Sequence, residues 1–252
     1  MTVIAVVADP PRPGLALATL TKSSPLSDSE AADLYAASLK DTVRAVERSG
    51  GELLVNYRPD EMLPDEHASE QSAEAELRAL VADALEDPSE ARFEVQVGST
   101  PSARAGNTVT HLLDREEVQS AAVVPGTAPM LTRQTIDGAA MKLRRNEVVL
   151  GPSARGGVYF AGFTTADLDF EDAYAVPEIE TLTTRGADAG HEVEFLATQT
   201  RVETGADLLS LVPVLNARIA AGRIVPEHTT TLIREWGLRV VEEDGEPTLV
   251  RE

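Results

Sequence analysis

Short apolar runs recur along the chain between residues 2 and 163. They are Thr2–Ala8, Glu52–Tyr57, Arg92–Val97, Gln119–Val124, Glu147–Leu150 and Val158–Phe163. The first run is β-branched and alternates little between apolar and polar residues, as in a strand buried on both faces of a parallel sheet. We therefore predict a strand for each run.

Segments with helical spacing of apolar residues separate these runs. The clearest begins with the capping box Ser27-Asp28-Ser29-Glu30 and ends at Gly50-Gly51. Further helices are predicted at Ser69–Leu85, at Thr108–Leu113, after Thr132 and after Thr204. Alternating strands and helices predict an α/β fold, with a Rossmann-like, mostly parallel sheet and helices on both faces.

The tail of the chain has a different pattern. We predict a short helix at Thr229–Trp236 and a small hairpin around Asp244-Gly245. Residues 1–223 are accordingly expected to form one domain, and residues 224–252 an appended helix and hairpin. Trp236 fits a core or interface position better than an active site, and a homodimer contact through this tail is one interpretation.

The amino-acid composition of the 252 residues limits the partners and the cellular location that we expect. Acidic residues number 42 and basic residues 22, for a net charge of −20, with only three lysines and no cysteine. Such a charge disfavours nucleic acid and anionic membranes as partners. No apolar stretch is long enough for a membrane span, and the N-terminus lacks the features of a signal peptide, so we expect a cytoplasmic protein. The acid excess suggests a halophilic protein, although an ordinary acidic protein has the same composition.

Three loops follow predicted strands and are expected to converge on one crevice. They are Asp9–Leu26, Pro125–Leu131 and Gly151–Gly157. Ligands of open α/β sheets bind beyond the carboxyl ends of the strands. The glycines of the third loop would allow a ligand to approach the main chain, or would simply form a turn between two strands.

Several common catalytic patterns are missing. The four histidines lack metal-ligand spacing, and no Gly-x-Ser-x-Gly, Walker or Gly-x-Gly-x-x-Gly motif is present. The acidic run Asp167–Asp172 lacks the glycine and spacing of an EF-hand, which favours a solvated loop. These absences argue against a serine hydrolase or a dehydrogenase.

Two motifs carry a resemblance to a known family. They are Ala8-Asp9-Pro10-Pro11-Arg12-Pro13-Gly14 and Val149-Leu150-Gly151-Pro152-Ser153-Ala154-Arg155-Gly156-Gly157-Val158-Tyr159. With them, about residues 2–220 resemble glycosyltransferase-like proteins of the GT-A nucleotide-diphospho-sugar transferase superfamily, including the selenodomain-associated transferases. The phospholactate and molybdenum-cofactor guanylyltransferases are more distantly similar. The resemblance implies this superfamily's fold, a nucleotide on the first loop, and acidic residues holding a divalent metal.

The charged positions of that family pattern are changed in this chain. A basic group of the first loop is replaced by Leu17-Ala18-Thr19-Leu20, and a Gly-Asp-Leu-Gly-x-Arg motif by Gly106-Asn107-Thr108-Val109-Thr110-His111. Ala128, Arg155 and Arg201 stand where the family has aspartates. Since alanine cannot bind a cation and arginine repels one, the usual metal site is not expected.

The resemblance also implies which residues surround a ligand. Those expected around a nucleotide are Pro11, Arg12, Gly14, Lys22, Gly126 and Thr127. Those expected around the substrate are Gly151, Arg155, Gly156, Gly157 and Tyr159. No metal ligand, cofactor or catalytic residue is assigned.

Three functions remain open at this point. The first is a transferase homologue with a degraded metal site that binds a nucleotide, a nucleotide sugar or another phosphorylated small molecule. The second is an active glycosyltransferase or nucleotidyltransferase, which would need Mg²⁺ or Mn²⁺ and acids such as Asp9 or Glu203. The third is a non-catalytic structural or interaction protein.

Overall fold

The computed structural model describes residues 1–251 as a central sheet with surrounding helices and a separate hairpin. The strands are β1 (Thr2–Ala8), β2 (Glu52–Tyr57), β3 (Arg92–Val95), β4 (Ser120–Pro125), β5 (Val148–Pro152), β6 (Val158–Phe163), β7 (Val193–Phe195), β8 (Leu238–Glu243) and β9 (Glu246–Arg251). The helices are α1 (Asp28–Glu47), α2 (Ala73–Ala84), α3 (Pro101–Thr110), α4 (Arg133–Lys142), α5 (Glu178–Asp188), α6 (Gly205–Ala220) and α7 (Glu227–Glu235).

The central sheet has seven strands in the order β3-β2-β1-β4-β6-β5-β7. Its neighbours pair in parallel except β6, which runs antiparallel to both β4 and β5. The predicted α/β fold with a mostly parallel sheet is confirmed. Because β1 and β4 are parallel neighbours, their carboxyl ends lie side by side, and the loops that follow them face the same crevice.

Helices α1, α2 and α3 each begin directly after a residue whose side chain caps the N-terminus of the helix. In the capping box of α1, the Ser27 hydroxyl accepts from the backbone of Glu30, and the Glu30 carboxylate accepts from that of Ser27. Helix α2 begins later than predicted because Ser72, rather than Ser69, is its cap. Helix α3 begins earlier than predicted, at Pro101, with Thr100 as its cap. Proline suits the first position of a helix, since its missing N–H has no partner there anyway.

Two elements of the sheet region have no counterpart in the sequence prediction. Helix α5 starts after Pro177 without a side-chain cap, and β7 has only three residues. Neither offers the cap or the apolar run on which the other predictions depend.

The predicted C-terminal helix and hairpin are present as α7, β8 and β9. Residues of α7 and β8 share one hydrophobic cluster with α1 and α6, including Leu34, Leu211, Ile233 and Leu238. The Asp41 carboxylate of α1 accepts hydrogen bonds from the backbone N–H groups of His228 and Thr229, at 3.0 and 2.8 Å. The tail is therefore packed onto the rest of the chain, and the domain boundary at residue 223 stays a prediction.

Within residues 1–251, none of the helices has the length and apolar character that crossing a membrane requires.

Helix α6 approaches the first loop so closely that only glycine fits at its start. The Gly205 N–H donates to the Ser23 hydroxyl at 2.9 Å, and a Cβ added to Gly205 would lie 1.8 Å from the Ser23 carbonyl oxygen. We expect Gly205→Ala to lower the free energy of unfolding by about 3 kcal/mol, as overpacking does. Urea denaturation measures this loss.

Gly138 provides the matched control, because it lies within α4 with no atom near its missing Cβ. Gly138→Ala is expected to stabilise the protein by about 0.5–1 kcal/mol through helix propensity. Similar effects of the two substitutions would contradict the close approach of α6 to the first loop.

Candidate ligand-binding cleft

A cavity of about 300 Å³ lies at the carboxyl ends of β1 and β4. We call it the β1–β4 cleft. Its lining residues are Val7, Asp9, Tyr35, Pro101, Arg104, Ala105, Val123, Pro125, Gly126, Thr127, Val158, Tyr174, Glu178, Arg201 and Glu203. This is the crevice where the loops after β1 and β4 were predicted to meet, and it lies where α/β folds bind ligands.

Hydrogen bonds with side chains of helix α1 hold the loops after β1 and β4 at the mouth of the cleft. The Tyr35 hydroxyl accepts a hydrogen bond from the Asp9 N–H at 2.8 Å, and the Ser38 hydroxyl donates to the Gly126 carbonyl at 2.9 Å. A Cβ on Gly126 would lie 3.0 Å from Leu39 and 3.1 Å from the Tyr35 hydroxyl. Gly126 is therefore needed for the close packing of this loop against α1.

Each carboxylate that lines the cleft has an arginine partner. Asp9 accepts two hydrogen bonds from Arg58, at 2.8 and 2.7 Å. Arg201 lies between the other two acids: it donates to Glu178 at 2.9 and 3.2 Å and also to Glu203. The side chains of Arg201 and Glu178 are only 14% and 9% exposed. The Arg201–Glu178 pair is therefore largely buried, whereas the Asp9 and Glu203 side chains are 33% and 41% exposed.

This donor set does not fit a divalent cation. Mg²⁺ needs carboxylate oxygens that are free to coordinate, whereas both oxygens of Asp9 and of Glu178 and one oxygen of Glu203 already accept from guanidinium groups. Within residues 1–251, the one group of three potential ligands is Glu94, His111 and Glu116, with ligand atoms within 4.8 Å of one another. None of those three lines the cleft, and Arg92 already donates to both glutamates.

Arg104 differs from the other arginines of the cleft. No residue in the described part of the chain forms an ion pair with it, and its Nε atom is buried without a hydrogen-bond partner. Burial, together with the nearby charge of Arg58, lowers the pKa of Arg104 from its usual value. The Thr127 and Tyr174 hydroxyl oxygens are also buried without partners.

The structure brings some of the predicted nucleotide-binding residues into the cleft and leaves others outside. Gly126 and Thr127 line it, whereas Pro11, Arg12, Gly14 and Lys22 do not. Lys22 is exposed to solvent.

Arg12, which the resemblance places around a nucleotide, has a structural role. Its buried guanidinium donates to Asp60 at 2.9 Å and to Glu76 at 3.1 Å, and also to the carbonyls of His67 and Gln71. These hydrogen bonds tie the first loop to the segment before α2 and direct the Arg12 donors to the protein itself.

The predicted substrate-binding loop borders the cleft but does not line it. Gly151, Arg155, Gly156, Gly157 and Tyr159 are all absent from the cavity wall. A Cβ on Gly156 would lie 2.7 Å from Pro177, and one on Gly151 would lie 2.6 Å from the Tyr159 ring. These two glycines thus permit close packing of protein groups.

Arg155 of this loop and Tyr159 of β6 form hydrogen bonds within the protein. Arg155, in the left-handed region at φ 56°, donates to both oxygens of the buried Asp207 carboxylate, at 2.9 and 2.8 Å. The Tyr159 hydroxyl donates to the Ala197 carbonyl at 2.9 Å, and burial raises the Tyr159 pKa. The loop is thereby fixed to α6 and to the segment after β7.

Arg104, Tyr174 and Glu178 were not predicted as cleft residues. The Thr100-Pro101 pair is a helix-start signal that would have placed Arg104 in the first turn of α3. Tyr174 and Glu178 follow the irregular segment after β6, and the Tyr174 N–H reaches the Ser102 hydroxyl at 2.9 Å, 72 residues away in sequence. No local signal in the sequence reveals such a contact.

Known structures share this fold. A protein of Desulfovibrio desulfuricans G20 that is provisionally assigned as a nucleotide-diphospho-sugar transferase aligns over 93% of this chain and 94% of its own, with 20% identity and a TM-score of 0.73. A cytidylyltransferase of Leptospira borgpetersenii has the same coverages, 11% identity and a TM-score of 0.51. The 4-diphosphocytidyl-2C-methyl-D-erythritol synthase of Anaerococcus prevotii DSM 20548 aligns over 86% of this chain and 96% of its own, at 12% identity and a TM-score of 0.51.

Sequence comparison agrees with the resemblance noted from the motifs. No curated protein matches the chain. Residues 63–174 match DUF2064, a family described as uncharacterized proteins conserved in bacteria. The chain has the nucleotide-diphospho-sugar transferase fold, and its central part matches DUF2064.

Proposed function

We propose that this protein binds a nucleotide, a nucleotide sugar or another phosphorylated small molecule in the β1–β4 cleft, with arginine side chains in place of a divalent cation. The observation that carries the proposal is the pairing of Asp9, Glu178 and Glu203 with arginines, while Arg104 forms no ion pair within residues 1–251 and its buried Nε has no hydrogen-bond partner there. A guanidinium can hold a phosphate through two parallel hydrogen bonds.

The similarity of fold supports a ligand of the nucleotide type. The similar structures include a cytidylyltransferase and a diphosphocytidyl-methylerythritol synthase. The cleft at the ends of β1 and β4 is the position where ligands bind in open α/β sheets. A protein with net charge −20 repels anions at long range, so local arginine charge is needed for a phosphorylated ligand.

A thermal-shift screen in EDTA tests the proposal. The panel consists of nucleoside mono-, di- and triphosphates and nucleotide sugars, each also measured with Mn²⁺. We expect saturable stabilisation by at least one ligand in EDTA, because ligand that binds only the folded state raises the melting temperature. Mn²⁺ should add no further stabilisation beyond its effect on the free protein.

Two outcomes contradict the proposal. Stabilisation that appears only with Mn²⁺ would mean that the cleft holds a metal, as in an active metal-dependent transferase. A flat response to the whole panel would exclude nucleotide binding and favour an interaction protein.

A further inference from the structure

Within residues 1–251, three polar groups of the β1–β4 cleft lack hydrogen-bond partners. They are the Arg104 Nε, the Thr127 hydroxyl and the Tyr174 hydroxyl, and all three residues line the same cavity. A buried polar atom without a hydrogen bond costs about 1–3 kcal/mol. Three such groups around one cavity point to a ligand that accepts hydrogen bonds from them.

A hydrogen bond fixes the backbone of each of these three residues. The side-chain atoms named above, by contrast, have no hydrogen-bond partner within residues 1–251. The Arg104 N–H donates to the Thr100 carbonyl at 2.9 Å in the first turn of α3. The Tyr174 N–H donates to Ser102 at 2.9 Å, and the Thr127 carbonyl accepts from the Val202 N–H at 2.8 Å. Side chains from three separate elements are thus held at the cleft, as a preorganised binding site requires.

The segment that carries Tyr174 is packed firmly against α3. Phe170 meets Phe163 edge to face, with ring centroids 5.4 Å apart. A Cβ on Gly106 of α3 would lie 2.7 Å from the Phe170 Cβ, so the two segments are in direct contact. Tyr174 and Arg104 therefore lie on segments that contact each other.

The hydrogen-bond donors and the positive charge of these three side chains favour an oxyanion as the ligand. Arginine stays protonated even where burial lowers its pKa, and the same burial raises the pKa of the Tyr174 hydroxyl, which therefore keeps its proton. All three side chains can donate hydrogen bonds, one carries a positive charge, and the N-terminus of α3 adds partial positive charge. A phosphate has more terminal oxygens to share among three donors than a carboxylate has.

The size of the cavity agrees with this choice. About 300 Å³ is at the lower end of the range for small-molecule pockets and is ample for a phosphoryl group.

We propose that Arg104, Thr127 and Tyr174 form a phosphate-binding subsite that holds a terminal phosphate of the ligand without a metal ion. The assignment rests on the proposed function, since that function places a phosphorylated ligand in this cleft. In this assignment Arg104, rather than Arg12 and Lys22, contacts the phosphate of the ligand.

Calorimetric titration with inorganic phosphate tests the subsite. The titrations are run in EDTA with ionic strength held constant by NaCl. We expect Arg104→Met to weaken phosphate binding at least tenfold, because it removes the charge and keeps the alkyl chain. Thr127→Val and Tyr174→Phe remove one hydroxyl each at nearly constant shape, and each is expected to weaken binding about threefold to tenfold.

Arg144→Met is the matched control, because Arg144 is an exposed arginine that does not line the cleft. Its phosphate affinity should equal that of the unmodified protein. Thermal melting of every variant checks folding, and the two hydroxyl variants keep the test decisive if Arg104→Met fails to fold.

The phosphate and nucleotide measurements together distinguish a failure of the subsite from a failure of the proposed function. Absence of phosphate binding to the unmodified protein, or equal affinity in all the variants, would overturn the subsite. Nucleotide binding that Arg104→Met leaves unchanged would overturn the subsite and leave the proposed function standing. Phosphate binding that depends on Arg104, with no response to any nucleotide, would support the subsite and overturn the nucleotide ligand.

Discussion

Arg201→Ala is expected to lower the free energy of unfolding by about 3 kcal/mol and to make the stability of the protein depend on Mn²⁺. Removing one partner of a buried ion pair leaves an uncompensated charge, which costs about 3–5 kcal/mol. Here the Arg201 guanidinium bonds to both Glu178 and Glu203, so its loss leaves two carboxylates facing each other across a vacated cation position. A divalent cation should bind these oxygens and restore part of the stability.

Urea denaturation in EDTA and in Mn²⁺ measures this effect. Arg155→Ala is the control, because Arg155 pairs with the single carboxylate of Asp207, outside the cleft. Mn²⁺ should stabilise the Arg201 variant and leave the Arg155 variant unchanged. If Mn²⁺ has no more effect on Arg201→Ala than on the unmodified protein, Arg201 does not occupy a cation position.

Asp207→Asn is expected to have a second large effect, a loss of about 3 kcal/mol at pH 7. The Asp207 side chain is 1% exposed and accepts from Arg155 as well as from the backbone N–H groups of Glu203 and Thr204, at 3.0 and 2.8 Å. Asparagine has one acceptor oxygen and no charge, so it cannot replace both the ion pair and the cap of α6. Chemical denaturation of the two proteins at pH 7 gives the difference.

The pH dependence of that difference provides a further check. Burial alone would raise the pKa of Asp207, but hydrogen bonds from Arg155, Thr204 and Glu203 hold it below its usual value in the folded protein. A carboxyl with a lowered folded pKa stabilises fully above its unfolded pKa, about 3.9, and loses this contribution as the pH falls through the folded value. The gap between Asp207→Asn and the unmodified protein should therefore narrow below about pH 4.

Asp188→Asn serves as the control, since Asp188 is exposed at the end of α5. It should change stability by less than about 0.5 kcal/mol at any pH. A gap for Asp207→Asn that is constant from pH 7 to pH 3 would contradict the lowered pKa.

Local signals in the sequence were sufficient for most of the fold. The apolar run Thr2–Ala8 became β1 with those bounds, and the Ser27 capping box set the start of α1. Thr132 and Thr204 likewise cap α4 and α6. A helix cap or a buried strand depends on a few neighbouring residues, so the sequence shows it directly. Helix α5 and strand β7 lack such signals and were missed.

The composition of the cleft depended on contacts that are distant in sequence. The family resemblance implied that Arg12 lies beside a nucleotide, yet its carboxylate partners Asp60 and Glu76 are 48 and 64 residues away in sequence. The partnership of Arg201 with Glu178 likewise spans 23 residues and depends on how α5 is placed. Gly126 and Thr127 were placed in the cleft because they follow directly on β4, whose end position the strand pattern does predict.

An anomalous difference map would show whether a metal ion binds in the β1–β4 cleft. Crystals would be grown with a nucleoside diphosphate and Mn²⁺, and diffraction collected at the manganese absorption edge. We expect a phosphate of the ligand beside Arg104, with the ion pairs of Asp9, Glu178 and Glu203 intact and without manganese at these carboxylates. A manganese peak coordinated by any of these three acids would contradict it.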